Sequence, residues 1–352
     1  MSNNFRVGAV GVAAGAVLLS LVAPAHAATG WRITATPDKN SGLRDIAVTG
    51  PNDAWAVGYQ SVKDDAVPVV RRWNGKVWNR VALPAAVKGA YLEHVSASSS
   101  TNVWVGGSDG HLKQFWMRWN GKNWKVVTGT LPKGSDPHSP DVLALGAGDV
   151  WSFAQAGKWE TSVPDVRHFN GRSWSKVRVP GPIAGASAVS GKSIWATSWA
   201  KGKQGPKPTL LRWNGKTWAQ RSLPLGEGSG IGGVLAFSDK NVWVSGMNPG
   251  ALGVLLHWNG KSWKTVVAPK TSGVLQNLVY DGNGGLWMRA GQRFLHYKSG
   301  KWSSAAVPGR PGVRTAIAGL ARVPKTTSVW GVGALDDKDW INTASVVVKY
   351  GK

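Results

Sequence analysis

The chain has 352 residues, with 42 Lys+Arg against 18 Asp+Glu and a formal net charge of +24. It has no cysteine, which excludes disulfides, thiolate zinc sites, a lipidated cysteine and a thiol nucleophile. The charge favours anionic partners without specifying one, and a chain of this length can bury a core without disulfides even outside the cell.

The first residues read as a secretory signal. Arg6 stands in a short n-region, an apolar run extends from Val7 to Val22, and Ala25-His26-Ala27 is a small-residue cleavage site. Cleavage is expected after Ala27, so residues 1–27 form a signal peptide and residues 28–352 one mature domain. The run is short for a membrane span, and one arginine does not make a twin-arginine signal. The mature protein is expected outside the cell, retained on the wall by its charge.

From residue 28 onward one unit recurs. An apolar strand rich in Ala, Ser and Gly leads by a turn to a strand carrying Trp, as in Ala54-Trp55-Ala56-Val57-Gly58 and Val242-Trp243-Val244-Ser245-Gly246. A loop of varying length follows, then a strand ending in an aromatic, an Asn-Gly turn, and a last strand running from Trp to Pro. Clear copies are Trp73-Asn74-Gly75-Lys76-Val77-Trp78 and Trp213-Asn214-Gly215-Lys216-Thr217-Trp218. The terminal prolines Pro37, Pro84, Pro132, Pro180, Pro224, Pro269 and Pro308 are spaced 39 to 48 residues apart. Four short strands in a unit of that length make a propeller blade, and seven units predict an all-β, seven-bladed β-propeller of antiparallel blades. The last copy stops at Tyr350-Gly351-Lys352, and its missing half lies at the other end, Trp31 to Pro37. The N-terminal strand is therefore expected to close the last blade. Asn-Gly predicts a two-residue type I′ turn, which would set Trp73 opposite Lys76 and Arg71 opposite Trp78.

The repeat assigns 18 of the 22 tryptophans to scaffold: seven on second strands, seven opening fourth strands and four ending third strands. These features resemble the kelch and galactose-oxidase-like propellers, in which Gly ends the second strand and paired aromatics on strands three and four precede a Pro. The resemblance covers Ala28 to Lys352. It departs in having one Gly after most second strands and a shorter hairpin, and it lacks a Ser-x-Asp-x-Gly-x-Thr-Trp box. It therefore implies a fold and no catalytic residue.

Three sets of residues remain as candidates. Trp159, Trp199 and Trp340 fall in variable loops beside charges, with Lys201 following Trp199. A loop Trp so placed suits stacking on a sugar or gripping a partner, or pins its loop to the scaffold. Ten residues before the second-strand Trp, blades one to three carry Asp45, His94 and Asp141, and blades four to six Gly185, Gly233 and Asn277. Such a trio at the channel mouth can perform acid–base chemistry or coordinate a metal; its alternative is hydrogen bonding between blades. Lys76, Lys122, Arg172, Lys216 and Lys261 follow the Asn-Gly turns and make a cationic ring for a polyanion, or solubilise exposed hairpins.

No G-x-S-x-G, H-E-x-x-H, P-loop or dinucleotide motif is present, no cofactor is expected, and no nucleic-acid motif appears. The reading is a secreted monomeric binding module engaging a glycan, an anionic wall polymer or a partner protein through the variable-loop face. The alternative is a glycan-active hydrolase or lyase using Asp45, His94 and Asp141.

Overall fold

The computed structural model describes residues 30–63, 65–109, 113–130, 140–157, 163–203, 205–338 and 342–351. They form seven four-stranded antiparallel sheets. Blades 1 to 6 span 41–80, 91–130, 141–176, 185–222, 230–272 and 276–306, each in simple up-and-down order. Blade 7 takes three strands from 314–350 and its fourth, Arg32–Ala35, from the N-terminus. Arg32 pairs with Lys349 and Ile33 with Val348, so the ring closes by the split repeat. First strands of neighbouring blades adjoin around the whole ring and surround its axis.

The core is not one mass but seven layers, one at each blade interface. Each follows one rule. The second-strand Trp of one blade inserts against the third-strand aromatic and fourth-strand Trp of the next. Trp55 meets Trp119 and Trp124, Trp151 meets Trp213 and Trp218, and Trp330 meets Trp73 and Trp78, with ring centroids 5.0 to 5.9 Å apart. Tilted and edge contacts of this kind suit the aromatic quadrupole and bury large apolar area. A tryptophan so placed is a structural part, as the repeat implies.

The Asn-Gly turn differs from expectation. Trp73 lies opposite Trp78, Arg72 opposite Asn79 and Arg71 opposite Arg80, so the loop has four residues, not two. The cause is the asparagine side chain. Asn74 Oδ1 accepts the amides of Lys76 and Val77, both at 3.0 Å, and Asn120, Asn170, Asn214 and Asn259 repeat this. Such an Asx turn needs a positive φ only at the glycine, which is +96° at Gly75. The two-residue turn with both central φ positive occurs instead at Ser299-Gly300, in blade 6, which lacks Asn-Gly.

A second irregularity positions the channel mouth. In blades 1, 2, 5 and 7 the first strand carries a bulge near its start, opposite the glycine three residues after the second-strand Trp. A Cβ at Gly58, Gly246 or Gly333 would overlap the carbonyl oxygen of Gly42, Gly230 or Ala316. Blades 3 and 4 have Ala154 and Ser198 there, and their first strands pair without that bulge. The glycine is thus the imprint of the bulge.

Candidate functional site

Asp45 pairs with Val57, His94 with Gly106 and Asp141 with Phe153, each partner lying two residues past the blade's second-strand Trp. The three side chains therefore sit at one level on adjacent innermost strands. Gly185, Gly233 and Gly319 hold the level in blades 4, 5 and 7. In blade 6 the residue at this level is Gln276, not Asn277. A two-residue bulge with φ +55° at Asn277 turns that side chain away, and its Nδ2 donates to Ala318 O of blade 7 at 2.7 Å.

His94 Nδ1 lies 3.5 Å from Asp141 Oδ1. Asp45 Oδ1 accepts the amide of Ile46 at 2.8 Å, and Oδ2 accepts the amide of Val95, in the next blade, at 2.9 Å. The same strap recurs elsewhere, where Ser96 Oγ accepts from Ala144 N and Ser187 Oγ from Ala236 N. Asp45 is thus a blade-to-blade strap that also faces the mouth. Burial outweighs the favourable His94 charge and raises its carboxyl to about 6. Among the described residues, no group of three or more His, Cys, Asp or Glu is placed to hold a metal ion.

This shift has a measurable consequence. An unfolded aspartate titrates near 3.8, so between pH 4 and 6 the folded state holds the extra proton. Asp45 therefore contributes most below pH 4, and that contribution is lost as pH rises through 6. The unfolding free energy of the wild type, referenced to Asp45→Asn, is expected to fall by roughly 2–3 kcal/mol from pH 4 to 7. A difference that rises with pH in denaturant titrations would contradict the assignment.

Around the mouth, Arg44 lies 5.1 Å over the Tyr59 ring, and Tyr59 meets Tyr91 edge-on at 5.5 Å across blades 1 and 2. Tyr91 is exposed. Toward blades 6 and 7 the charge is positive. Burial and the nearby Arg314 hold the Arg289 guanidinium below its ordinary value, while it donates to Gln276. Arg314 reaches Asp336 at 3.6 Å. The mouth is thus acidic over blades 1 to 3 and basic over blades 6 and 7.

The loop set is altered. Trp199 is not in a loop: it lies in the long second strand Ser193–Lys201, opposite Pro208, with exposed Lys201 ending that strand opposite Pro206. The β-hairpin simply extends past the sheet of its neighbours. Trp159 and Trp340 lie outside the described residues. Trp116 is packing, 2% exposed, with its indole N–H on Ser152 Oγ at 2.7 Å. Lys76, Lys122, Arg172, Lys216 and Lys261 are all exposed on the turns of the opposite, regular face.

A column of cationic and imidazole side chains runs beside the second-strand tryptophans. The residue before each third-strand aromatic is Arg72, Arg118, His168, Arg212, His257, His296 or Lys349, cationic or imidazole in all seven copies. Each lies directly opposite the second-strand Trp. Arg72 sits 4.8 Å over Trp55, His257 stacks at 4.1 Å on Trp243, and Lys349 lies 5.5 Å over Trp330. The signal was legible as a seven-fold column. Between blades 3/4, 4/5, 5/6 and 7/1, clefts of about 570, 550, 380 and 430 Å³ open beside this ladder.

The chain is a seven-bladed β-propeller. No protein-family model matches it, and no curated protein matches it in sequence. Solved structures match across nearly the whole chain. A structure described as YCF48 bound to D1 peptide is 16% identical, covers 94% of this chain and 99% of its own, and gives a TM-score of 0.65. YCF48 from Cyanidioschyzon merolae is 19% identical, with coverage of 91% and 98% and a TM-score of 0.62. A six-bladed fungal lectin from Aleuria aurantia, described with a fucose recognition mode, is 16% identical, with coverage of 75% and 96% and a TM-score of 0.50. A Mycobacterium tuberculosis puromycin-hydrolyzing peptidase is 15% identical, with coverage of 90% and 53% and a TM-score of 0.60. At these identities the likeness is one of fold, and it does not point to the kelch group in particular.

Proposed function

We propose that the protein is a secreted, monomeric binding module, freed of residues 1–27 and held near an anionic wall by its net charge of +24. Its ligand is a glycan, which docks on the variable face at the channel mouth. The observation that carries this reading is the clustering of Arg44, Tyr59 and Tyr91 beside Asp45, His94 and Asp141. The exposed ring of Tyr91 and the half-buried ring of Tyr59 beside paired polar groups suit a sugar's apolar face and hydroxyls. That propellers of this fold include a peptide-bound protein and a fucose-recognising lectin supports a binding role.

A glycan array read at low and high salt tests it. Binding that survives high salt and falls at least about tenfold in Tyr91→Ala is expected. Binding abolished by salt alone, or binding confined to peptides on a parallel peptide array, would defeat it. One observation favours a hydrolase or lyase instead, namely the Asp45 carboxyl titrating near 6 beside His94 and Asp141. Against it, both Asp45 oxygens already hold backbone amides. Turnover of any array glycan that is lost on substituting His94 and Asp141 would establish the enzyme.

A further inference from the structure

Six of the seven second-strand tryptophans are buried, whereas Trp243 of blade 5 is only half-buried. It lines the cleft of about 380 Å³ between blades 5 and 6. Blade 6 ends its hairpin in the short Ser299-Gly300 turn. These two small residues stand at the cleft where Lys76 and Val77 stand in the cleft between blades 7 and 1. A Cβ at Gly300 or at Gly284 would meet nothing within 4 Å, so both turns of blade 6 leave their corner of the cleft open.

The cleft is also uncharged. Among the described residues, no Lys, Arg, Asp or Glu lines it, in a chain of net charge +24. The cleft between blades 4 and 5 holds Arg212, Arg221, Asp239 and Lys240, and that between blades 7 and 1 holds Arg32, Lys76 and Lys349. The cation ladder loses its charge here as well. His168 meets Asp149 at 2.8 Å and His296 meets Asp281 at 2.9 Å, but His257 meets the amide oxygen of Asn241 at 3.0 Å. The same oxygen accepts the Trp243 indole N–H at 3.1 Å. An indole can only donate, which fixes the amide orientation and makes His257 Nε2 a donor too. Burial and the Lys264 charge hold the imidazole below its ordinary value, so it is neutral at pH 7.

The walls are aromatic with a polar fringe. Phe237 is 38% exposed and, with Tyr91, one of two exposed aromatic rings among the described residues. It occupies a bulge near the end of its first strand, where blades 1 to 4 have Thr49, Ser98, Leu145 and Val189, so the repeat does not require it. Its ring meets Tyr280 edge-on at 5.0 Å, and the Tyr280 hydroxyl accepts the Gly284 amide at 3.1 Å, which holds that wall in place. Asn241 Nδ2 and the hydroxyls of Tyr297 and Ser299, three residues that line the cleft, have no hydrogen-bond partner among the described residues.

We infer that the cleft between blades 5 and 6 is a second ligand site, on the face opposite the channel mouth, for a neutral sugar. An uncharged lining gives an anionic ligand no counter-charge, and a purely apolar ligand would strand the polar fringe. A sugar ring offers an apolar face edged by hydroxyls. One ring packs on Phe237 and the open part of Trp243, and its hydroxyls meet Asn241, Tyr297 and Ser299. The volume suits a mono- or disaccharide. The site uses none of the channel-mouth residues and stands or falls apart from them.

The test is titration of the full mature chain with cellobiose, maltose, lactose and N,N′-diacetylchitobiose, read by calorimetry and by the His257 imidazole proton signals in NMR. At least one of these neutral sugars is expected to bind equally at low and high salt and to shift the His257 signals. Phe237→Ala, at an exposed side chain outside the repeat, is expected to weaken that sugar about tenfold. Phe237→Tyr, which keeps the ring, retains it. Tyr91→Ala, at the mouth, leaves it unchanged, so failure of the mouth site and failure of this one are read separately. Should Phe237→Ala misfold, the His257 shift in the wild type still decides. No shift of His257 by any of the four sugars, full affinity in Phe237→Ala, or a shift produced only by N-acetyltryptophanamide, standing in for an aromatic peptide side chain, would overturn the inference.

Discussion

Deleting residues 28–37 is expected to lower the melting temperature by roughly 10 °C or more, far beyond what trimming a disordered tail does. The segment supplies the outer strand of blade 7, and its loss exposes the edge of Asn342–Tyr350. Trp31 stacks on Phe294 at 3.9 Å and meets Trp287 edge-on at 5.4 Å, so it fills the interface between blades 6 and 7. Trp31→Ala in the full chain should alone cost about 3–5 kcal/mol. Asp38, just beyond the strand, fastens the seam from the other side. Its carboxylate, 4% exposed, holds Arg71 of blade 1, and its backbone exchanges hydrogen bonds with Ser345 of blade 7. Asp38→Ala leaves a largely buried guanidinium without its carboxylate and should cost about 3–5 kcal/mol. Differential scanning calorimetry of the three variants checks this. A deletion that melts like the wild type would mean the ring does not depend on its closing strand.

What the sequence disclosed and what it hid divide along a physical line. Blade number, strand order and closure are carried by period and by aromatic type, so Trp31 could be assigned to blade 7 from a distance of over 300 residues. Turn geometry is carried by one side chain's choice of partner. Asn74 accepts two amides and lengthens the loop to four residues, which the Asn-Gly dipeptide alone does not reveal. Register at the channel mouth is carried by bulges, so counting back from Trp287 selected Asn277 where the fold places Gln276. Trp199 looked like a loop residue because hairpin length is not written in the repeat. The cation ladder is written in the sequence as the residue before each third-strand aromatic.

The bulges tie stability to the mouth, and Gly58→Ala is expected to disturb both. A Cβ there meets Gly42 O and the backbone of Leu43, neither of which can swing aside as a flexible side chain would. The first strand must either flatten its bulge or separate from the second, at a cost of roughly 3 kcal/mol or more. Gly246→Ala meets the carbonyl of Gly230 in the same way in blade 5 and should cost a similar amount. In blade 3 the equivalent residue is already Ala154 opposite an unbulged strand, and Ala154→Gly should cost only about 1 kcal/mol. The two glycine variants differ in what else they change. The bulge opposite Gly58 is Arg44, whose extra residue sets Asp45 against Val57 and sends Arg44 over Tyr59. Flattening it shifts Asp45 out of the level it shares with His94 and Asp141 and breaks its strap to Val95. Gly58→Ala should therefore move the Asp45 titration away from about 6, as followed by carboxyl carbon NMR, while Gly246→Ala leaves it in place. Equal titration in both variants would show that the mouth is set by the side chains themselves, with the bulge serving only to seat one strand on the next.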